Sequence, residues 1–164
     1  MTSMSQVADE QLYQDLPPLP YAGLGIRIVA AVLDIIVLFS VFLLFVSAAG
    51  LYLLTQTDWG NESDFTDSET LTAGIIVASF VFFLPVYFIS LWWWRGQTIG
   101  QMATRIVITD RDGYAISGWR SILRMLVWPL SVIPLGIGLA PAMFDSESRA
   151  LHDMICGTVV LELP

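Results

Sequence analysis

From Ile28 to Leu54 the chain runs through a membrane-length apolar stretch in which Asp34 is the only charge, with Arg27 just outside it. A carboxylate at hydrocarbon depth is costly, so it requires a partner or a task. Arg27 and Asp34 stand seven positions apart, almost two turns of a helix, which places both on one face roughly 10 Å apart along the axis. That separation is too long for a direct pair. Each charge must therefore find its counterpart elsewhere in the fold.

Composition agrees with a membrane setting. Hydrophobic residues make up 55% of the 164 residues and charged ones only 13%, and the apolar stretches are too long and continuous for an ordinary soluble domain. Residues 1–20 carry Asp9, Glu10 and Asp15, no base, and then Pro17, Pro18 and Pro20. They lack the basic region and small-residue cleavage site of a secretory signal, so the first apolar helix is expected to be retained as an anchor. One cysteine, Cys156, excludes an intrachain disulfide. The net charge of −8 is concentrated in the N-terminal tail and one loop.

Three hydrophobic segments follow. The first, from about Gly25 to Leu54, exceeds a hydrocarbon core of about 30 Å and is expected to span it. The connection from Gln56 to Thr70 holds Asp58, Glu62, Asp64, Asp67 and Glu69 without a base. The second segment, Leu71 to Trp94, is uncharged and closes on Trp92, Trp93 and Trp94, whose rings favour the headgroup level. With Arg95 they are the expected lipid and interface anchors. The sign of the chain then reverses, with Arg95, Arg105, Arg111, Arg120 and Arg124 in close succession. By the positive-inside rule this region and the N-terminus are cytoplasmic and the acidic loop is external. The third segment, Met125 to Phe144, is broken by Pro129, Pro134, Gly136, Gly138 and Pro141. Breakers at that density argue against one straight helix. A re-entrant hairpin turning near Pro134 and Gly136 is the favoured reading, and a kinked full span is the alternative.

An internal similarity supports the return of the chain. The stretch from Ile99 to Ile108 aligns position for position with Leu151 to Val160, and each reads as a short interfacial helix running into a β-branched strand. Strands Arg105 to Thr109 and Thr158 to Glu162 are expected to pair on one face of the membrane. Asp110-Arg-Asp-Gly113 is a turn that would send Tyr114 to Ser117 back as a hairpin partner. A calcium-loop reading fails, since Gly stands at the wrong position and no Glu follows at the twelfth.

Arg27, Asp34, Gly96-Gln-Thr-Ile-Gly100 followed by Arg105-Ile-Val, Asp112-Gly113, Arg120 and the closing Arg149-Ala-Leu-His-Asp153-Met-Ile-Cys-Gly157-Thr-Val-Val together resemble the RDD membrane-protein family. The resemblance covers nearly the whole chain after Pro20. It implies that Arg27 is the family's arginine, and Asp34 and Asp153 its two aspartates. Where the family usually places Lys after Gly100, this chain has Gln101. The resemblance further implies a membrane location and a transport role, some members being linked to sodium/proton exchange.

The expected architecture is an all-α membrane protein with two transmembrane helices, a third Pro/Gly-broken segment, re-entrant or kinked, a small cytoplasmic β-ribbon and short interfacial helices. Residues 1–20 form an acidic, Pro-rich cytoplasmic tail and residues 21–164 the membrane domain. Asp34, Asp153, Arg27 and Arg105 are expected to form one buried ionic network near the cytoplasmic boundary, because arginine's planar fork can serve two carboxylates. The same residues are the candidate ion or proton site, since a desolvated carboxylate can titrate towards neutrality. His152 and Cys156 are too few soft ligands for a metal. No nucleophile elbow, phosphate loop, dinucleotide or haem signature is present. The chain is therefore expected not to be an enzyme, to need no cofactor and to bind no nucleic acid. Two functions remain open for a multi-pass protein of a prokaryotic cytoplasmic membrane. One is monovalent cation/proton transport through Asp34, which would require a homo-oligomer. The other is a non-transporting accessory or assembly subunit packed against lipids and other membrane subunits.

Overall fold

The structure is a computed structural model that describes residues 19–56, 66–132 and 137–164. Residues 1–18 of the tail, most of the acidic connection and the turn expected near Pro134 and Gly136 lie outside the described residues.

Two long helices dominate, α1 (Leu24–Gln56) and α2 (Asp67–Arg95). Both are long and apolar enough to cross a membrane, and most of their surface is unburied within the chain. They pack along an aromatic ladder in which Phe80 lies 5.2 Å from Phe42 and 5.8 Å from Phe45, ring centre to ring centre. Helix α2 starts at Asp67, earlier than the apolar pattern from Leu71 implies, because Thr66 and Glu69 form a reciprocal capping box. Asp67 and Glu69 thus belong to its first turn, where negative charge is favourable. Gly96 ends the helix with φ +67°, and a side chain there would strike the Ile108 carbonyl oxygen at 2.7 Å. Only glycine suits both the left-handed backbone and that approach.

Beyond α2 the two aligned stretches fold alike. The first gives α3 (Ile99–Ala103) and strand β1 (Ile106–Asp110), and the second gives α5 (Leu151–Cys156) and strand β2 (Thr158–Glu162). Arg105 at φ +55° joins the first pair and Gly157 at φ +63°, its aligned counterpart, joins the second. The strands pair antiparallel with Ile106 opposite Glu162 and Ile108 opposite Val160. The expected pairing is therefore present, and β1 begins one residue late because Arg105 is spent on the left-handed corner. The chain before α1 lines the other edge of β2, through Ala22 N–H to the Val160 carbonyl (2.8 Å) and Glu162 N–H to the Pro20 carbonyl (2.8 Å). Ala22, Ala30, Trp92, Ile106, Ile108, Ile116 and Val160 form the core beneath this sheet.

Tyr114 to Ser117 do not make the expected hairpin strand; a single bridge joins Ala115 to Thr109. The Asp110 side chain closes the turn by accepting from the Asp112 and Tyr114 N–H groups, and Ser117 is already committed to starting the next helix, its carbonyl accepting from Ser121 N–H. That helix, α4 (Gly118–Val132), begins before the apolar pattern from Met125. Ser121, Arg124, Val127 and Ser131 recur on its buried face, while Trp119, Ile122 and Leu126 are exposed. A 3-10 helix (Ile137–Met143) follows. A Cβ on Gly138 would overlap the Ser131 backbone, so the third segment is two limbs in close contact rather than one straight helix.

Val107 and Leu161 face each other in the ladder and are both partly buried. Antiparallel partners lie about 5 Å apart between Cα atoms, within disulfide reach. Val107→Cys with Leu161→Cys in a Cys156→Ser background should therefore crosslink under mild oxidation, read by gel mobility. Val107→Cys with Val160→Cys, which face opposite sides, should not; equal crosslinking of both pairs would contradict the register.

Candidate functional site

Helix α1 presents its two charges to the ends of the two related helix–strand units. Asp34 meets the first. Its buried carboxylate accepts hydrogen bonds from the Tyr87 hydroxyl (2.6 Å), the Thr98 hydroxyl (2.5 Å) and the Gly100 N–H (2.8 Å). Gly100 allows this approach, because a Cβ there would overlap the Ala30 carbonyl oxygen and come within 2.9 Å of the Asp34 carboxyl carbon. Thr98 also caps α3, where the Gln101 side chain accepts from the Thr98 N–H (2.8 Å) and from the Trp92 indole N–H (3.3 Å). The position where a lysine was expected thus carries a neutral capping amide.

Arg27 meets the second unit. Its Nη1 lies 2.6 Å from Asp153 Oδ2, and its Nε donates to the Ala22 carbonyl (2.9 Å). Asp153 occupies in α5 the place Gln101 occupies in α3, and accepts from the Ala150 N–H (3.0 Å). Its other oxygen lies 2.5 Å from Arg124 Nη1. Arg124 also donates to the Thr158 hydroxyl (2.6 Å) and lies 5.4 Å from the centre of the Trp92 ring, a cation–π distance. Asp153 is wholly buried and Arg124 nearly so.

Burial alone would push the Asp153 carboxyl up, but Arg124 and Arg27 outweigh it and hold the group down at about 2. Beside it His152 shares a hydrogen bond with the Ser131 hydroxyl (2.9 Å). Burial, then the charge of Arg124, lowers the imidazole to about 4, so it is neutral at physiological pH. Arg149 takes no part in this cluster. It grips Asp145 with two nitrogens at 2.8 and 2.9 Å and Glu147 with a third, closing the turn before α5. The grip lowers the Asp145 carboxyl and raises the Arg149 guanidinium.

Of the four residues expected in one network, Arg27 and Asp153 meet, whereas Asp34 and Arg105 lie apart from them. Among the described residues Asp34 forms no ion pair; neutral donors from α2 and the start of α3 saturate it before a guanidinium can. Arg105 is turned away by its left-handed backbone, and its side chain reaches the Pro164 carbonyl (3.4 Å). The place expected for it is taken by Arg124. The sequence carried a signal for Arg124, since Ser121, Arg124 and Ser131 recur at helical spacing in an otherwise apolar stretch. Tyr87 is the other residue missed, a hydroxyl facing Asp34 from the uncharged stretch of α2. Of the expected interface anchors, Trp93 and Trp94 are exposed, with Arg95 5.3 Å from the Trp94 ring centre. Trp92 turns inward instead, because its N–H serves Gln101 and its face serves Arg124.

Both charge clusters border one cavity of about 380 Å³ between α1, α2 and α4, lined by Arg27, Asp34, Thr98, Arg124 and His152 at its polar parts and by Leu38, Leu84, Phe88, Met125 and Trp128 elsewhere.

The family model described as RDD family matches residues 21–157. The uncharacterized protein RP437 of Rickettsia prowazekii is 35% identical over 89 residues, 54% of this chain and 49% of that protein, so the match spans about half of that relative. The uncharacterized protein YckC of Bacillus subtilis is 31% identical over 144 residues, 85% of this chain and 83% of that protein. No solved structure matches the chain.

The depressed imidazole predicts a pH limb of stability. An unfolded histidine takes up its proton near pH 6.5 while folded His152 does so only near 4, so the unfolded state binds more protons in between and stability falls as pH drops through that window. Between pH 6.5 and 5 the loss should be about 2 kcal/mol, measured by denaturation in a neutral detergent. His152→Gln should flatten that limb; an unchanged slope in the variant would contradict the assignment.

Proposed function

The chain belongs to the RDD family, and from that premise we propose that this membrane protein is a non-transporting accessory or assembly subunit of a bacterial cytoplasmic-membrane complex. The observation that carries the proposal is the saturation of Asp34. A carboxylate that carries a cation or proton must exchange its partners in each cycle, whereas this one accepts from three protein donors on two other elements. Hydrogen bonds to a charged group contribute about 1.5–3 kcal/mol each, so release of the carboxylate would loosen α1 from both α2 and α3. Asp34 acts as a clasp between the two spans and the turn that follows them.

The orientation follows from the same frame. Pairing of β1 with β2 supports a third segment that returns to the side it left, because strands on opposite faces of a membrane cannot bond. The arginines around β1 and α4 make that side cytoplasmic, with the N-terminus on it and the acidic loop outside. The outward faces of α1 and α2 carry Ile35, Phe39, Leu44, Phe82 and Val86, and two spans enclose no pathway by themselves. These faces meet lipids and partner helices, either of other subunits or of further copies.

Cation/proton exchange is the second reading, and the cavity that Asp34 shares with His152 and the two arginines favours it. Purified protein reconstituted in liposomes decides between them. Imposed sodium or potassium gradients should produce no proton flux above empty vesicles at any pH between 6 and 9, and Asp34→Asn should lower thermal stability. Exchange that is present in the parent and lost in an Asp34→Asn protein that still folds would overturn the accessory reading.

A further inference from the structure

The charges around the Asp153 cluster do not balance locally. Arg27 and Arg124 both point their guanidinium groups at the single carboxylate of Asp153, and the other titratable groups beside it among the described residues, His152 and the buried Cys156 thiol that burial pushes up, are neutral. Two cations thus share one anion. The donors do not balance either, since among the described residues Arg27 Nη2 and Arg124 Nε are buried without a hydrogen-bond partner. Asp34 borders the same cavity but is consumed by Tyr87, Thr98 and Gly100. The cationic end of the cavity is therefore one anion short, and buried guanidinium nitrogens of native proteins are normally satisfied.

The rest of the cavity has the opposite character. Leu38 and Leu84 from the two long helices, Phe88, and Met125 and Trp128 from α4 make its wall apolar. A volume of about 380 Å³, apolar lining and a few converging polar groups fit the general pattern of small-ligand sites. Because the walls are the two spans and α4, a ligand enters from the bilayer plane more readily than from bulk water.

We propose that this cavity binds an anionic amphiphile, with its phosphate on the Arg27 and Arg124 guanidinium groups and part of an acyl chain against Leu84, Phe88 and Trp128. Guanidinium suits phosphate because its planar fork can donate two parallel hydrogen bonds and it remains charged at every physiological pH. The site goes beyond the accessory reading, as it concerns what occupies the core and not which chain packs outside.

The test is a lipid titration of the detergent-purified protein followed by native mass spectrometry. Dioleoyl phosphatidylglycerol should be retained as a saturable single adduct, and dioleoyl phosphatidylcholine at least tenfold less. Glycerol phosphate, which offers the same anion without a tail, should bind at least tenfold more weakly than the lipid. Leu84→Trp fills the apolar part without touching the ionic cluster and should reduce phosphatidylglycerol retention at least tenfold, while Arg27→Lys, which keeps the charge on Asp153 but loses the fork, should reduce it severalfold. Equal retention of both lipids, or full retention in a folded Leu84→Trp protein, would overturn the proposal. Glycerol phosphate binding as tightly as the lipid would overturn the amphiphile and leave a free-anion site.

Discussion

The carboxylate of Asp153 is wholly buried between two arginines, and the rest of the domain is arranged around that fact. Burying an ion costs several kcal/mol unless fixed opposite charges repay it. The two that do so come from different parts of the chain, Arg27 from the head of the first span and Arg124 from the buried stripe of α4. Asp153 thus ties the first span, the broken third segment and the C-terminal unit at one point. The interior around it is polar for the same reason. The Thr158 hydroxyl and the Trp92 ring meet Arg124, and beside them Ser131 and His152 bond to each other.

The two helix–strand units give this arrangement a common plan. In each, an extended residue starts a short helix, a polar side chain three positions on folds back to its N–H, and a left-handed residue turns the chain into a strand. The units differ in that side chain. Gln101 is neutral and its unit leaves the Thr98 hydroxyl and Gly100 N–H free to receive an anion, Asp34 from α1. Asp153 is itself an anion and receives a cation, Arg27, from the same helix. The seven-residue spacing of Arg27 and Asp34 matches the placement of the two units along α1, and pairing of β1 with β2 fixes that placement.

Much of this was legible in the sequence where one physical effect dominates. Continuous apolar length defined α1 and α2, and the β-branched runs with the aligned stretches gave the strand pair. The resemblance singled out Arg27, Asp34 and Asp153. What failed was the assignment of partners, since charge alone does not say whether a carboxylate is met by a guanidinium or by hydroxyl and amide donors. Asp34 was expected to need an arginine, but Tyr87 and the Thr98–Gly100 turn suffice. Arg105 and Arg124 look alike as members of a basic stretch, and only backbone conformation and helix phase send one outward and the other inward. Three tryptophans in a row suggest three interfacial rings, but consecutive helix positions point about 100° apart and cannot all face one way, so Trp92 turns inward. Local side-chain competition likewise decided the turn after β1, where Ser117 began a helix instead of extending a hairpin.

Asp153 and its two arginines form a structural cluster whose members depend on one another. A double-variant cycle on Asp153→Asn and Arg124→Gln, followed by denaturation in a neutral detergent, tests it most directly. Asp153→Asn leaves two buried guanidinium groups facing each other and should cost about 3–5 kcal/mol. Arg124→Gln leaves a balanced Arg27–Asp153 pair and should cost less. The double variant should be no less stable than Asp153→Asn alone, a strong coupling between the sites. Losses that simply add would contradict the account.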